Sequence, residues 1–262
     1  MKLKSKTVLL TGATGGIGQE LARQLDQKGA RLLLSATNLE ALKALTHDLQ
    51  GKSHQIIAAR LTDKSERDNL IELARHAKVD VLINLAGLNH FGLLEQTEEQ
   101  QLQDMLELNL LAPMLLSKAF APILSERSEA AIINVGSILG SIGYAGSTGY
   151  CASKFGLRGF TESLRRELAQ SAVKVVYLAP RATKTAMNSH TMTQMNQALK
   201  VAMDPADMVA RDIINAIEHD EAQRYFGWPE KFFVRLNALF PALVDNALLK
   251  QLPIIQHHAR LP

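Results

Sequence analysis

Tyr150 and Lys154, in the stretch Tyr150-Cys151-Ala152-Ser153-Lys154, stand four residues apart, the spacing that puts two side chains on one face of a helix. Together they could form a proton donor and its tuner. A free phenol titrates near pH 10, so use around neutrality needs a downward shift of roughly three units, about 4 kcal/mol. An ammonium at about 4 Å offers a phenolate ~1 kcal/mol in water but ~4 kcal/mol at an effective dielectric of about 20, so burial decides whether the pair does chemistry. Taken alone, Tyr-x-x-x-Lys reads as ordinary surface. Its companions change that reading.

Near the amino terminus, Thr11-Gly12-Ala13-Thr14-Gly15-Gly16-Ile17-Gly18 follows the apolar run Thr7-Val8-Leu9-Leu10 and opens into Gln19-Glu20-Leu21-Ala22-Arg23-Gln24-Leu25. That is strand, glycine turn, helix. Gly12, Gly16 and Gly18 allow a tight turn and let a pyrophosphate approach the positive end of the helix, so dinucleotide binding is favoured over a plain turn. Further along, Asn84-Leu85-Ala86-Gly87 follows Val79–Ile83, Asn109 lies in a long helical pattern, and Ser137 follows Ala131–Gly136. Both runs read as buried parallel strands. In a doubly wound sheet Gly12, Gly87 and Ser137 would converge beyond the strands' carboxyl ends.

In this ordered set the sequence resembles the short-chain dehydrogenase/reductase family, over roughly residues 6 to 190. It matches the Thr-Gly-x-x-x-Gly-x-Gly turn, an Asn-x-Ala-Gly segment and the Asn109, Ser137, Tyr150, Lys154 tetrad. The resemblance implies that Tyr150 exchanges a proton with the substrate oxygen, Ser137 holds that oxygen, Lys154 binds the nicotinamide ribose and lowers the Tyr150 pKa, and Asn109 completes a water-linked proton path. It also implies dinucleotide contacts at Gly12, Thr14, Gly16, Ile17 and Gly18, at Leu61, at Asn84, Ala86 and Gly87, at Tyr150 and Lys154, and at Pro180 and Thr185. Separately, Pro113 stands four residues after Asn109 and has no amide hydrogen, so the Asn109 carbonyl loses its helical partner. A water on the proton path and a bend serving only packing are equal readings of that.

Cofactor choice is set after the second strand, where an acid would bond the ribose hydroxyls of NAD and repel a 2′-phosphate. The chain has Ser35, Ala36, Thr37 and Asn38 there, and Ser35, Thr37 and Asn38 are expected to touch the cofactor. NADP is the preferred expectation and NAD the alternative. Gly15 weighs against NADP, standing where many NADP-dependent members carry a basic residue, and Arg60 stands where the family often has an aspartate near adenine. Arg181 takes the glycine position of the family's Pro-Gly segment, in Pro180-Arg181-Ala182-Thr183-Lys184-Thr185. Solvent is its expected surrounding, ahead of an anionic substrate or phosphate.

The whole chain narrows the class. Its 262 residues suit one Rossmann-like α/β domain, residues 1–262, a doubly wound parallel sheet of about seven strands with helices on both faces. Net charge +3 from 29 basic and 26 acidic residues, without a basic cluster, gives no argument for nucleic acid. One cysteine, Cys151, excludes an internal disulfide framework and fits a cytoplasmic location. His257-His258 has no carboxylate or cysteine nearby, so no metal site is expected. The run from Thr7 is too short for a secretory signal, and Leu108–Leu124, interrupted by Asn109, Lys118 and two prolines, is too short for a membrane span.

Strands are predicted at Lys6–Leu10, Arg31–Ser35, His54–Ala58, Val79–Ile83, Ala131–Val135, Lys174–Leu178 and Gln223–Gly227. Helices are predicted at Glu40–Leu49, Ser65–His76, Glu98–Ser125, Tyr150–Gln170 and Pro205–His219. Residues 182–203, rich in Thr, Asn, Gln and Met, read as a mobile substrate lid or equally as an exposed helix. Residues 229–262 form an apolar extension whose local charge from Gln223 is +3, five Lys/Arg against Glu230 and Asp245. Packing on the sheet or a second subunit is the expectation and a membrane surface the alternative.

The leading expectation is therefore an NADP-preferring oxidoreductase acting on a small-molecule carbonyl or secondary alcohol, with an apolar substrate hinted at and reduction the favoured direction. A homodimer or homotetramer is expected from the apolar helices around Asn109 and after Tyr150, as the resemblance also implies. A catalytically silent cofactor-binding regulator is the alternative, which the complete tetrad opposes. An epimerase or dehydratase is a further one, though such relatives carry a differently spaced glycine turn and a longer substrate domain.

Overall fold

The computed structural model describes residues 1–51 and 53–260. Among them seven strands form one parallel sheet: β1 (Thr7–Thr11), β2 (Arg31–Ala36), β3 (Gln55–Ala58), β4 (Val81–Asn84), β5 (Ala130–Val135), β6 (Val173–Ala179) and β7 (Gln223–Tyr225), in the order β3-β2-β1-β4-β5-β6-β7. Eleven helices complete the described chain: α1 (Gly16–Gln27), α2 (Leu39–His47), α3 (Lys64–His76), α4 (Glu99–Leu106), α5 (Ala112–Ser125), α6 (Thr148–Glu167), α7 (His190–Ala198), α8 (Ala206–Glu218), α9 (Glu230–Leu239), α10 (Pro241–Leu249) and α11 (Leu252–Ala259). The expected doubly wound α/β fold is what forms. Element ends shift by one to three residues: α6 ends at Glu167 instead of Gln170, and β4 starts two residues late because Val79 and Asp80 still belong to the turn after α3.

The sheet is covered on both faces because its strands are apolar on both faces. Along β1, Val8 and Leu10 pack with Leu21 and Leu25 of α1 and with Ile213 of α8, whereas Leu9 points the other way, to the layer holding Leu70 of α3, Leu116 and Phe120 of α5 and Leu164 of α6. Each fully buried leucine or phenylalanine contributes roughly 1.5–3 kcal/mol. Strand order reverses between β1 and β4, so the loops leaving these two strands diverge and open a crevice at the carboxyl edge of the sheet. Thr11 holds that edge together: its hydroxyl donates to the Ile83 carbonyl (3.2 Å) and accepts from the amides of Leu85 (3.1 Å) and Ala86 (3.2 Å).

The helix predicted over Glu98–Ser125 is not continuous. A π-helical turn, Glu107–Leu111, separates α4 from α5, and the Ala112 amide reaches back five residues to the Glu107 carbonyl. Pro113, without an amide hydrogen, sits directly after this turn; the widened turn is how the chain absorbs the missing donor. The joined segment Glu99–Ser125 is long and apolar enough to cross a membrane by composition, yet Leu116, Phe120 and Leu124 are core residues beneath the sheet.

Beyond β6, the stretch 182–203 contains α7, with Met195 and Asn196 buried. Its two ends meet: Asp204 bonds the Ala182 carbonyl and the Lys184 amide (2.9 Å each) across a Thr183–Asp204 bridge. The apolar extension is three helices, α9 to α11, seated by Val234 and Val244 on Ile138 and Ile142 of the loop after β5. Residues 261–262 of that expected extension lie outside the described residues.

Candidate active site

The glycine turn leaves β1 at Gly12, whose φ is +68° and where a Cβ would stand 2.8 Å from the Ala86 backbone, so only glycine fits. At Gly18 a Cβ would come within 2.2 Å of the Gly12 carbonyl oxygen, so α1 can pack this close to the turn only with glycine there. No side chain caps the amino terminus of α1, whose first amides face the crevice with the positive end of the helix dipole. Across the crevice, the ends of β4 and β5 bring Leu85–Gly87 and Val135–Ser137 to the same rim.

Asn84, expected as a cofactor contact, and Asn109, expected on a water-linked proton path, are not among the residues that line this crevice. Asn84 lies beside Asn134 in register and donates to its Oδ1 (2.8 Å); Asn134 donates in turn to Thr161 Oγ1 of α6 (3.0 Å). Both side chains are buried; the Asn84 Nδ2 and both polar atoms of the Asn134 side chain are bonded, joining β4 and β5 to α6, while the Asn84 Oδ1 has no partner among the described residues. Asn109 Oδ1 accepts from the Leu88 amide (2.9 Å), while its Nδ2 donates to the Leu88 carbonyl (2.8 Å) and to Ser153 Oγ (3.1 Å). Ser153 donates to the Tyr150 carbonyl (2.7 Å), so Asn109 holds the backbone that carries Tyr150.

Tyr150 and Lys154 do share one face of α6 and line the crevice with Ser137. Lys154 is 4% exposed; its Nζ donates to the Val135 carbonyl (3.1 Å) and stands 5.7 Å from the centre of the Tyr150 ring. The expected downward shift of the phenol is not what the protein alone produces. Burial pushes Tyr150 up to about 12; the Ser137 hydroxyl pulls it back only in part, and neighbouring Cys151 adds a small upward push. Burial also pushes Lys154 down to about 8. Desolvation, which disfavours both charged forms, outweighs attraction between them.

Around this set the protein encloses a cavity of about 730 Å³. Of the expected cofactor contacts, Gly12, Thr14, Gly16, Ile17, Gly18, Ser35, Thr37, Leu61, Ala86, Gly87, Pro180 and Thr185 line it. Ser35 Oγ and Asn89 Oδ1, both buried, have no partner in the protein, and both border the cavity. A long groove with glycine approaches at one end, uncapped helical amides and an unpartnered hydroxyl fits a nicotinamide dinucleotide. Asn38 does not join it: its Oδ1 accepts from the Ala41 amide (3.0 Å), because the residue starting α2 must cap it. Arg60 is likewise outside, paired with Glu66 (2.9 Å) on the surface.

Arg181 is neither solvated nor free for an anion. Its guanidinium is bidentate on Asp204 (2.6 and 2.9 Å) and also donates to Glu230 (3.0 Å) and the Trp228 carbonyl (2.8 Å), and these partners hold its pKa above the ordinary value. It ties the foot of the 182–204 segment to the start of α9. The remaining wall was not legible as a site. Tyr144, Phe233, Leu248 and Gln251 line the cavity, and Tyr144 donates to Gln251 Oε1 (3.1 Å). Tyr144, in the loop before α6, is more than 80 positions from Phe233, Leu248 and Gln251, and no spacing signal joins it to them.

The sequence model of the family described as short chain dehydrogenase matches residues 6–196. A Bacillus subtilis protein named uncharacterized oxidoreductase YxnA is 32% identical over 99% of this chain and 76% of its own length. The 3-oxoacyl-[acyl-carrier-protein] reductase of Haemophilus influenzae is 32% identical over 82% of this chain and 90% of its own. A solved short-chain dehydrogenase from Sphingobium yanoikuyae, in complex with NADPH, superposes with a TM-score of 0.79 at 26% identity, covering 92% of this chain and 94% of that one. Its sheet order, its glycine turn and this match across most of its length agree: the chain belongs to the short-chain dehydrogenase family of oxidoreductases.

Proposed function

We propose that this protein reduces an apolar ketone to a secondary alcohol, with NADPH as the preferred reductant. The observation that carries the reading is the convergence of the Tyr150 phenol, the Ser137 hydroxyl and the buried Lys154 ammonium on one cavity with the glycine turn. Bound at that turn, the cofactor supplies hydride through its nicotinamide.

The protein's own groups supply the proton and hold the oxygen. With its pKa near 12, Tyr150 carries its proton at neutral pH, and with its pKa near 8, Lys154 is mostly charged. A phenol in that state gives its proton readily to a nascent alkoxide, a much stronger base than phenolate, and the adjacent ammonium offsets the charge left behind. Ser137, whose backbone amide nitrogen is followed by the buried Ile138–Gly140 turn, presents its hydroxyl beside the phenol to hold the carbonyl oxygen. Asn109 acts through Ser153 to fix Tyr150, with the water-linked proton path as its further role.

Preference for NADPH is supported by Ser35 and Thr37, hydroxyl residues lining the cavity where an acid would repel a 2′-phosphate. An apolar substrate is supported by Ile142, Met187, Met192, Phe233, Val244 and Leu248 around its far end, and an acyl ketone fits the Haemophilus relative's activity. Segment 182–203 serves as a lid over that end. Exposed Leu106, Leu111 and Phe155 support assembly through α4 to α6 as a dimer or tetramer.

The test is loss of NADPH absorbance across a panel of ketones, repeated with NADH and with Tyr150→Phe. Turnover by the wild type should fall by about 10²–10⁴ in the variant while NADPH still binds. Full turnover without the phenol removes the proposed acid; absence of turnover on every ketone, with cofactor bound, would favour a silent regulator.

A further inference from the structure

The carboxyl-terminal helices are apolar on two sides. Phe233, Val244 and Leu248 turn into the cavity, while Trp228, Phe232, Leu239, Phe240, Leu243 and Leu249 stand outside with exposures of 61, 48, 72, 58, 59 and 60%. Trp228 stacks on Phe232 with ring centres 6.1 Å apart, and Phe240 and Leu243 continue the strip across the turn into α10. Cations are interleaved with it. Lys231 Nζ lies 5.0 Å over the Trp228 ring, and among the described residues neither it nor Arg235 nor Lys250 joins an ion pair. Glu230 is turned inward to Arg181, which leaves Asp245 as the acid on this face.

We propose that this face docks on an anionic lipid bilayer, with the aromatic and leucine side chains in the interfacial layer and Lys231, Arg235 and Lys250 against the headgroups. A second copy of the chain is the poorer occupant. A two-fold contact sets the patch on itself, bringing the same three cations together with one carboxylate per protomer to offset them. Anionic headgroups neutralise all three, and an exposed tryptophan beside a lysine suits the bilayer–water boundary. The proposal goes beyond the ketone reductase reading and does not depend on it.

Flotation of the 262-residue chain with phosphatidylcholine/phosphatidylglycerol vesicles tests it, alongside the emission of Trp228, the sole tryptophan of the sequence. Association, with a blue shift, is expected on the mixed vesicles and should be lost on pure phosphatidylcholine or in high salt. Leu239→Ser/Phe240→Ser and Arg235→Glu/Lys250→Glu each alter only exposed side chains, so both should keep the wild-type melting temperature and NADPH affinity. Each should lower vesicle partitioning by about tenfold or more. No association of the wild type, or association that either double variant leaves unchanged, overturns the proposal. So does a dimer that Leu239→Ser/Phe240→Ser converts to monomer without any vesicle binding, which assigns the patch to a second copy.

Discussion

The two ends of the cavity are built on different principles. At the dinucleotide end, backbone does most of the shaping: Gly12 and Gly18 admit close approaches, Thr11 locks β1 to the loop after β4, and the sheet register fixes all of it. At the substrate end, side chains from α7, α9 and α10 and from Gln251 form the wall, seated by a small cluster of Ile138, Ile142, Val234 and Val244 and by the Arg181 ion pairs. The first is over-determined by a large core. The second hangs on a handful of contacts, which leaves it open to change in shape without disturbing the acid and its cofactor.

The sharpest separation of the two ends is Arg181→Ala. It strips Asp204, whose side chain is 5% exposed, of a bidentate partner, and breaking such a pair costs about 3–5 kcal/mol. Hydrogen exchange should accelerate in residues 182–204 and 228–260 while β1, β4 and β5 keep their protection. Equal loss of protection in both regions would show that they are one cooperative unit. The reverse perturbation is Gly12→Ala, which forces a left-handed φ of +68° on alanine and drives its Cβ toward Ala86. NADPH binding should weaken by about 100-fold, roughly 3 kcal/mol. Calorimetric titration measures it, and an affinity within a few-fold of wild type would show that the turn can shift without harm.

The same division explains what could be read from the sequence. Parallel strands buried on both faces announce themselves as apolar runs, and the residues after them, Gly12, Gly87 and Ser137, fall together once the sheet is assumed. Tyr150 and Lys154 are a turn apart on one helix, so their shared face follows from spacing alone. The failures have a common cause. Asn84, Asn38 and Arg181 were assigned by position, but a buried amide, a helix start and a guanidinium near two carboxylates each satisfy local demands that become visible only when Asn134, Ala41 and Asp204 are placed beside them. The shift of the Tyr150 phenol was mis-signed for a similar reason: spacing sets how near the ammonium is, whereas the depth of burial, which decides the balance, belongs to the whole fold.

Lys154→Met turns that depth into a measurable quantity. The folded-state pKa of Lys154, about 8, lies below the ordinary lysine value of 10.5, so the unfolded chain binds more protons between these values. Wild-type stability therefore rises as pH climbs through that window, and below pH 8 the full penalty of burying the charge, roughly 3 kcal/mol, is present. After losing the bond to Val135, the variant should still be about 2 kcal/mol more stable than wild type in urea melts at pH 7 without cofactor. That advantage should shrink toward pH 10. It should also be inactive, as expected of a dinucleotide-end residue kept for chemistry at the expense of stability. A variant less stable than wild type at pH 7 would mean the ammonium is better solvated than its 4% exposure implies.

The smallest effect isolates the other end. Leu248 reaches the cavity from α10 and packs against the Ile138, Ile142, Val234 and Val244 cluster, so Leu248→Ala removes apolar wall from the substrate end. A few lost methylene contacts are worth about 1.4 kcal/mol, so kcat/KM for a long-chain ketone should drop about tenfold, while a ketone too short to reach α10 should be reduced as before. The KM for NADPH should not move. If short and long ketones lose rate together, the extension does not select substrate length, and its inward-facing residues serve only to hold the carboxyl-terminal helices on the Ile138–Ile142 loop.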